Sequence, residues 1–89
     1  MTYGPPRRIF FRGSASSGIE LRVTPEITTV GNSLRVDIID IAGNRTSYIG
    51  TLRFDNIGRL ISSSDPYLSS PGFVKDIRKE LKRYGWLSS

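Results

Sequence analysis

Apolar residues recur along this chain with two different periods, and the change between them divides the sequence near Ser70. Before that point they fall at every second position, as on strands with one buried face. After it they fall at every third or fourth, as on a helix.

The C-terminal run from Ser70 to Gly85 carries the clearer period. Ser70 suits an N-cap, and Pro71 suits the first helical position, where a missing N–H is harmless. Gly85 suits a left-handed stop. These signals predict a helix over 70–85. Turning about 100° per residue places Phe73, Val74, Ile77, Leu81 and Tyr84 within one arc of roughly 100°. Lys75, Arg78, Lys79 and Lys82 occupy the opposite arc, with Arg83 at its edge and Trp86 projected into the same sector. The helix is therefore expected to have one apolar face and one cationic face.

Earlier in the chain, Met1 to Pro6 reads as a flexible lead, and Ile9-Phe10-Phe11 between arginines reads as a first strand. Gly13 to Gly18 is a loop of small residues. Ile19 to Thr24 alternates, with Ile19, Leu21 and Val23 on one side. Pro25 is expected to end or bend that strand, with an irregular or edge segment at Ile27 to Val30 and a turn at Gly31-Asn32. Leu34 to Ile41 alternates with a phase change at Ile38-Ile39, which a bulge or burial on both faces would explain. Ala42-Gly43-Asn44 connects to a strand over Thr46 to Asp55. Within that strand Gly50 takes an inward position where the helix or another backbone would come close. Asp55 to Gly58 turns the chain into Arg59-Leu60-Ile61. Ser62 to Ser69 is a polar connection pinned by Tyr67 and Leu68.

The fold expected is α+β: an antiparallel β-meander of four to five strands with one C-terminal α-helix packed across one face. A chain of 89 residues makes one domain, with a lead at 1–6, the meander at 7–61, the connection at 62–69 and the helix at 70–85.

Composition removes several chemistries. There is no cysteine and no histidine, so disulfides, thiolate metal sites and imidazole acid–base catalysis are absent. No run of about 18 apolar residues offers a membrane span, and no apolar block of signal-peptide length follows the first residues, so a cytoplasmic location is expected. Gly13 to Gly18 has phosphate-loop glycine spacing but Ile19 and Glu20 where the lysine and hydroxyl should stand, which makes it a hairpin loop. Asp37, Asp40 and Asn44 match no calcium loop, and no metal or other cofactor is expected. None of the twelve serines sits in a nucleophile motif. The chain reads as no enzyme.

Net charge is +5, and its distribution says more than its size. Residues 1–12 carry +3 through Arg7, Arg8 and Arg12, residues 72–89 carry +3, and the middle carries −1. On the outer side of the strands, Arg22, Arg35 and Arg53 each have an acid two residues away, Glu20, Asp37 and Asp55, and are expected to be paired. Phe10, Ile39 and Ile49 point outward on the same parity.

These features lead to a small non-catalytic binding or regulatory protein that docks on an anionic partner, with nucleic acid favoured over an acidic protein surface. The candidate contacts are Arg7, Arg8, Arg12, Lys75, Arg78, Lys79, Lys82, Arg83 and Trp86. The alternative is an accessory, inhibitory or assembly protein that binds another protein through the patch of Phe10, Ile39 and Ile49 or through a sheet edge. The sequence also admits a homodimer.

Overall fold

The computed structural model describes residues 8–14, 17–29 and 31–87, with side chains described at 18–27, 29 and 31–87. Five antiparallel strands follow one another across a single open sheet in chain order. They are β1 (Arg8–Ser14), β2 (Ser17–Thr28), β3 (Gly31–Ala42), β4 (Arg45–Asp55) and β5 (Leu60–Ser63). A short 3-10 turn, Pro66–Ser69, leads into the helix α1, Pro71–Arg83. The α+β meander with a single C-terminal helix is the architecture the periods predict.

The two long central strands pair residue for residue from Ser17 opposite Ala42 to Thr28 opposite Gly31. Two expectations are corrected by that ladder. Pro25 does not end β2, because it sits opposite Leu34 at a position that β1 does not reach: among the described residues the β1 pairing stops at Arg22. A proline without an N–H is tolerated on such an open edge. Gly31 and Asn32 are not the turn either; they are the first residues of β3, paired with Thr28 and Ile27.

The phase change at Ile38-Ile39 is burial on both faces of β3, and the neighbouring strand carries the bulge. Ile38 faces Gly50 and Ile39 faces Tyr48, so Ile49 is the extra residue of a bulge in β4, while β3 stays regular. Ile38 and Ile39 are both buried and, as adjacent residues of a regular strand must, lie on opposite sides of the sheet. Glu20 and Tyr48 flank Ile39 across the two ladders.

The core lies between the sheet and the helix. Leu21, Val23, Leu34, Val36, Ile38, Leu52 and Phe54 supply the sheet side, and Val74, Ile77 and Leu81 the helix side. Ile77 and Leu81 have no exposed surface, so each contributes about 1.5–3 kcal/mol of burial. Leu68 closes one end of the core, as expected, whereas Tyr67 beside it is exposed. Gly50 is indeed a point of close approach, but to the connection and not to the helix. A Cβ there would lie 2.5 Å from Leu68 Cδ1 and 2.7 Å from Ser64 Oγ.

Helix α1 starts where the sequence predicts, with Pro71 in the first turn and the Val74 amide donating to the Ser70 carbonyl at 3.0 Å. Ser70 holds the cap position through its backbone, and its side chain makes no capping bond. At the other end Gly85 has φ of 81°, and its amide donates to the Lys82 carbonyl at 3.1 Å while the Trp86 amide donates to Leu81 at 2.8 Å. This pair of bonds is a Schellman stop, which reverses the chain and satisfies carbonyls the helix leaves open.

Candidate functional site

The polar arc of α1 is where the helical period places it. Lys75, Lys79, Lys82 and Arg83 are exposed and Arg78 is half-buried, while Val74, Ile77 and Leu81 face the core. Arg78 lies lower because its stem runs against the β4–β5 turn, with Cδ 3.7 Å from where a Gly58 Cβ would be. Between helix and turn runs a groove of about 320 Å³ lined by Ile57, Lys75, Arg78, Lys79 and Lys82. Ile57, 62% exposed, is its apolar wall. It belongs to a turn with no helical or strand period, so only the packing of that turn beside α1 brings it to the site.

That turn is built on Asp55. Its Oδ1 accepts from the amides of Arg59 at 2.8 Å and Ile57 at 3.0 Å, and its Oδ2 accepts from Arg59 Nε at 3.3 Å. The Arg59 amide bond is the main reason the Asp55 carboxyl is held below its ordinary range. Partial desolvation opposes the effect, and the Ile57 amide and the Arg59 side chain add to it.

Three of the chain's acids, Glu20, Glu26 and Asp37, pair with arginines of the sheet. Glu20 is 2% exposed and meets Arg22 Nε at 3.1 Å; Asp37 meets Arg35 Nε at 3.5 Å. Arg53 does not pair with Asp55 as expected, since Asp55 is occupied by Arg59. Glu26 takes Arg53 instead, at 3.3 Å, and also lies 3.9 Å from Arg35. Arg35 and Arg53 are direct cross-strand partners, an arrangement that like charge disfavours, and Glu26 between them offsets it. Thr51 Oγ1 donates to Asp37 Oδ1 at 2.7 Å and is also bonded to the Tyr48 hydroxyl. The bulge at Ile49 is what puts Tyr48 and Thr51 on one face. The sheet's outer side thus holds a concavity of about 480 Å³ whose arginines are balanced by carboxylates.

The helix differs. Arg83 lies 3.8 Å from Glu80 and 6.0 Å from the Tyr84 ring centre. Among the described residues, no carboxylate lies within 4.0 Å of Lys75, Arg78, Lys79 or Lys82. Four cations in about one quadrant of one helix thus lack a described carboxylate at ion-pair distance.

Two aromatic placements are corrected. Trp86 does not extend the cationic arc: it is 4% exposed and packs in the core with Leu87, because the Schellman stop turns the chain back under the helix. Tyr84, expected inward, is the helix cap and lies exposed beside Arg83. The outward patch is corrected as well. Ile39 is 6% exposed and leaves it, while Ile49 is 40% exposed at the bulge. Phe10 has its backbone in β1 opposite Glu20.

Of the N-terminal arginines, Arg7 lies outside the described residues. Arg8 and Arg12 have their backbones in β1, opposite Arg22 and Ile19. Strand β1 and helix α1 approach each other to Cα distances of 8 Å or less, so the two cationic segments of the sequence occupy neighbouring elements. Among the described residues, no group of three acidic side chains could hold a metal ion, and no helix is long and apolar enough to cross a membrane.

Compared with known proteins, the chain matches no family model, no curated protein and no solved structure.

Proposed function

We propose that this protein is a non-catalytic binding module that docks on a polyanion, with nucleic acid as the favoured partner. The observation that carries the reading is the row Lys75, Arg78, Lys79 and Lys82, none of which has a described carboxylate within 4.0 Å, whereas Arg22, Arg35, Arg53 and Arg59 each have one. Like charges at i,i+4 cost a helix a few tenths of a kcal/mol per pair, and Lys75/Lys79, Arg78/Lys82 and Lys79/Arg83 are three such pairs. A phosphate chain reverses the sign of that repulsion by supplying the missing anions, and it releases counterions as it does so.

Arg7, Arg8 and Arg12 extend the surface in this reading, and the nearness of β1 to α1 supports it. Trp86 leaves the set of candidate contacts, since a core residue cannot stack on a base. The protein-docking alternative is weakened because Ile39, the middle of its apolar patch, is buried.

Titration of labelled oligonucleotides at two salt concentrations tests the reading. Neutralising about four phosphates makes log K fall by roughly 3 to 4 for each tenfold rise in salt. Binding with no salt slope, or a complex with a protein that survives nuclease treatment and displaces no nucleic acid, would overturn it.

A further inference from the structure

Resting on the reading above, we infer that the groove between α1 and the β4–β5 turn takes the phosphate backbone of a double-stranded nucleic acid, without stacking on bases and without reading their sequence.

The argument begins with what lines the groove. Its described walls are four cations and Ile57, and no aromatic ring is among them. Single strands are held sequence-independently by aromatic platforms, each of which supplies roughly tenfold in affinity per base. Trp86, the one tryptophan, is in the core, and Tyr84 lies past the last turn of the helix beside Arg83. A single strand laid along the groove would find charge and no platform.

The second step is the shape of the cationic row. Lys75 and Lys82 are seven residues apart, which is about 10 Å of helix axis. A duplex presents about one phosphate per 1.7 Å of axis, twice the density of one strand at the same rise, so a rigid row of this length faces roughly twice the charge. The row is rigid because Val74, Ile77 and Leu81 lock the opposite side of the helix to the sheet.

That same packing excludes base readout. A recognition helix must enter the major groove, about 12 Å wide, with most of its girth free. Val74, Ile77 and Leu81 hold one side of α1 against the core, and the turn bearing Ile57 lies beside it. Arg78, the cation best suited to a guanine edge, is held by its stem over Gly58. Contact is left to the phosphates.

The test is fluorescence anisotropy on the intact chain with two unrelated 20-base-pair duplexes, sized as about two helical turns, and their separated strands, using wild type, Lys79→Ala and Tyr84→Ala. Duplexes are expected to bind at least about fivefold more tightly than either strand and within about twofold of each other. Lys79→Ala should weaken duplex binding severalfold and Tyr84→Ala by less than about twofold. Tighter binding to single strands, a preference between duplexes above about tenfold, or equal losses from the two variants would overturn the inference while leaving the polyanion reading standing. Failure of every oligonucleotide to bind would overturn both.

Discussion

The amide of Trp86 donates to the carbonyl of Leu81 at 2.8 Å, and this bond decides which side of the helix the tryptophan belongs to. Leu81 is the last apolar residue of the helical stripe, and Trp86 follows it into the same cluster. Their pairing is the apolar contact that accompanies a Schellman stop. The C-terminus is therefore a clamp on the core, and the cationic face ends at Arg83.

Trp86→Ala should be among the most damaging substitutions in the protein, at about 3–5 kcal/mol, because it empties a large site closed by Leu81 and Leu87. For a small domain with roughly 5–15 kcal/mol in total, that approaches unfolding. Trp86→Phe should retain the fold at lower cost. Chemical denaturation of both variants checks this, and oligonucleotide affinity of the folded Phe variant should match wild type.

Two glycine substitutions should have opposite signs. Gly50→Ala drives a Cβ to 2.5 Å from Leu68 Cδ1 and 2.7 Å from Ser64 Oγ, so it should destabilise by about 1–3 kcal/mol. Gly72→Ala meets nothing within 4 Å in the first turn of α1 and should stabilise by about 0.5–1 kcal/mol. Thermal melts read both: one kcal/mol corresponds to about 4–8 °C in a domain of this size.

Asp55 should contribute to the acid sensitivity of the fold. Its folded-state pKa lies below the ordinary 3.8, chiefly because the Arg59 amide binds the carboxylate. The stability this supplies is complete above the ordinary value and is lost as pH falls through the lowered one. Asp55→Asn should be less stable than wild type at pH 7, and the gap should narrow as the pH drops below 3.8. Denaturation midpoints of both proteins across that interval measure it. A gap that is constant with pH would mean that the turn does not depend on the charge.

Lys79→Ala combined with Lys82→Ala should separate binding from folding. Both side chains are exposed, and their removal relieves like-charge pairs, so stability should be unchanged or rise by a few tenths of a kcal/mol. The salt slope of duplex binding should become shallower by about 1.8, or about 0.9 for each phosphate that is no longer neutralised. Circular dichroism confirms the fold, and anisotropy at several salt concentrations gives the slope.

The elements themselves were legible because their signals are local. Alternation marked Ile19 to Thr24 and Thr46 to Asp55 as strands, and the Ser70-Pro71 start and Gly85 stop bounded the helix within two residues. The phase change at Ile38-Ile39 was visible and reflects burial on both faces of β3, whereas the bulge beside it was not, because its extra residue, Ile49, lies on the partner strand. The charge pairs were legible only in part. Arg22 with Glu20 and Arg35 with Asp37 are neighbours along one strand, whereas Arg53 reaches Glu26 two strands away.

Periodicity in the chain was enough to set the order of strands and helix, the apolar and cationic arcs of α1, and the surplus of positive charge at both ends, since each depends on residues a few positions apart. Packing chose the rest. It buried Trp86, brought Ile57 to the lysines, enclosed Ile39 on the outer side of the sheet and gave Asp55 to Arg59. Those outcomes depend on where a distant segment arrives, and a period of two or 3.6 residues carries no information about that.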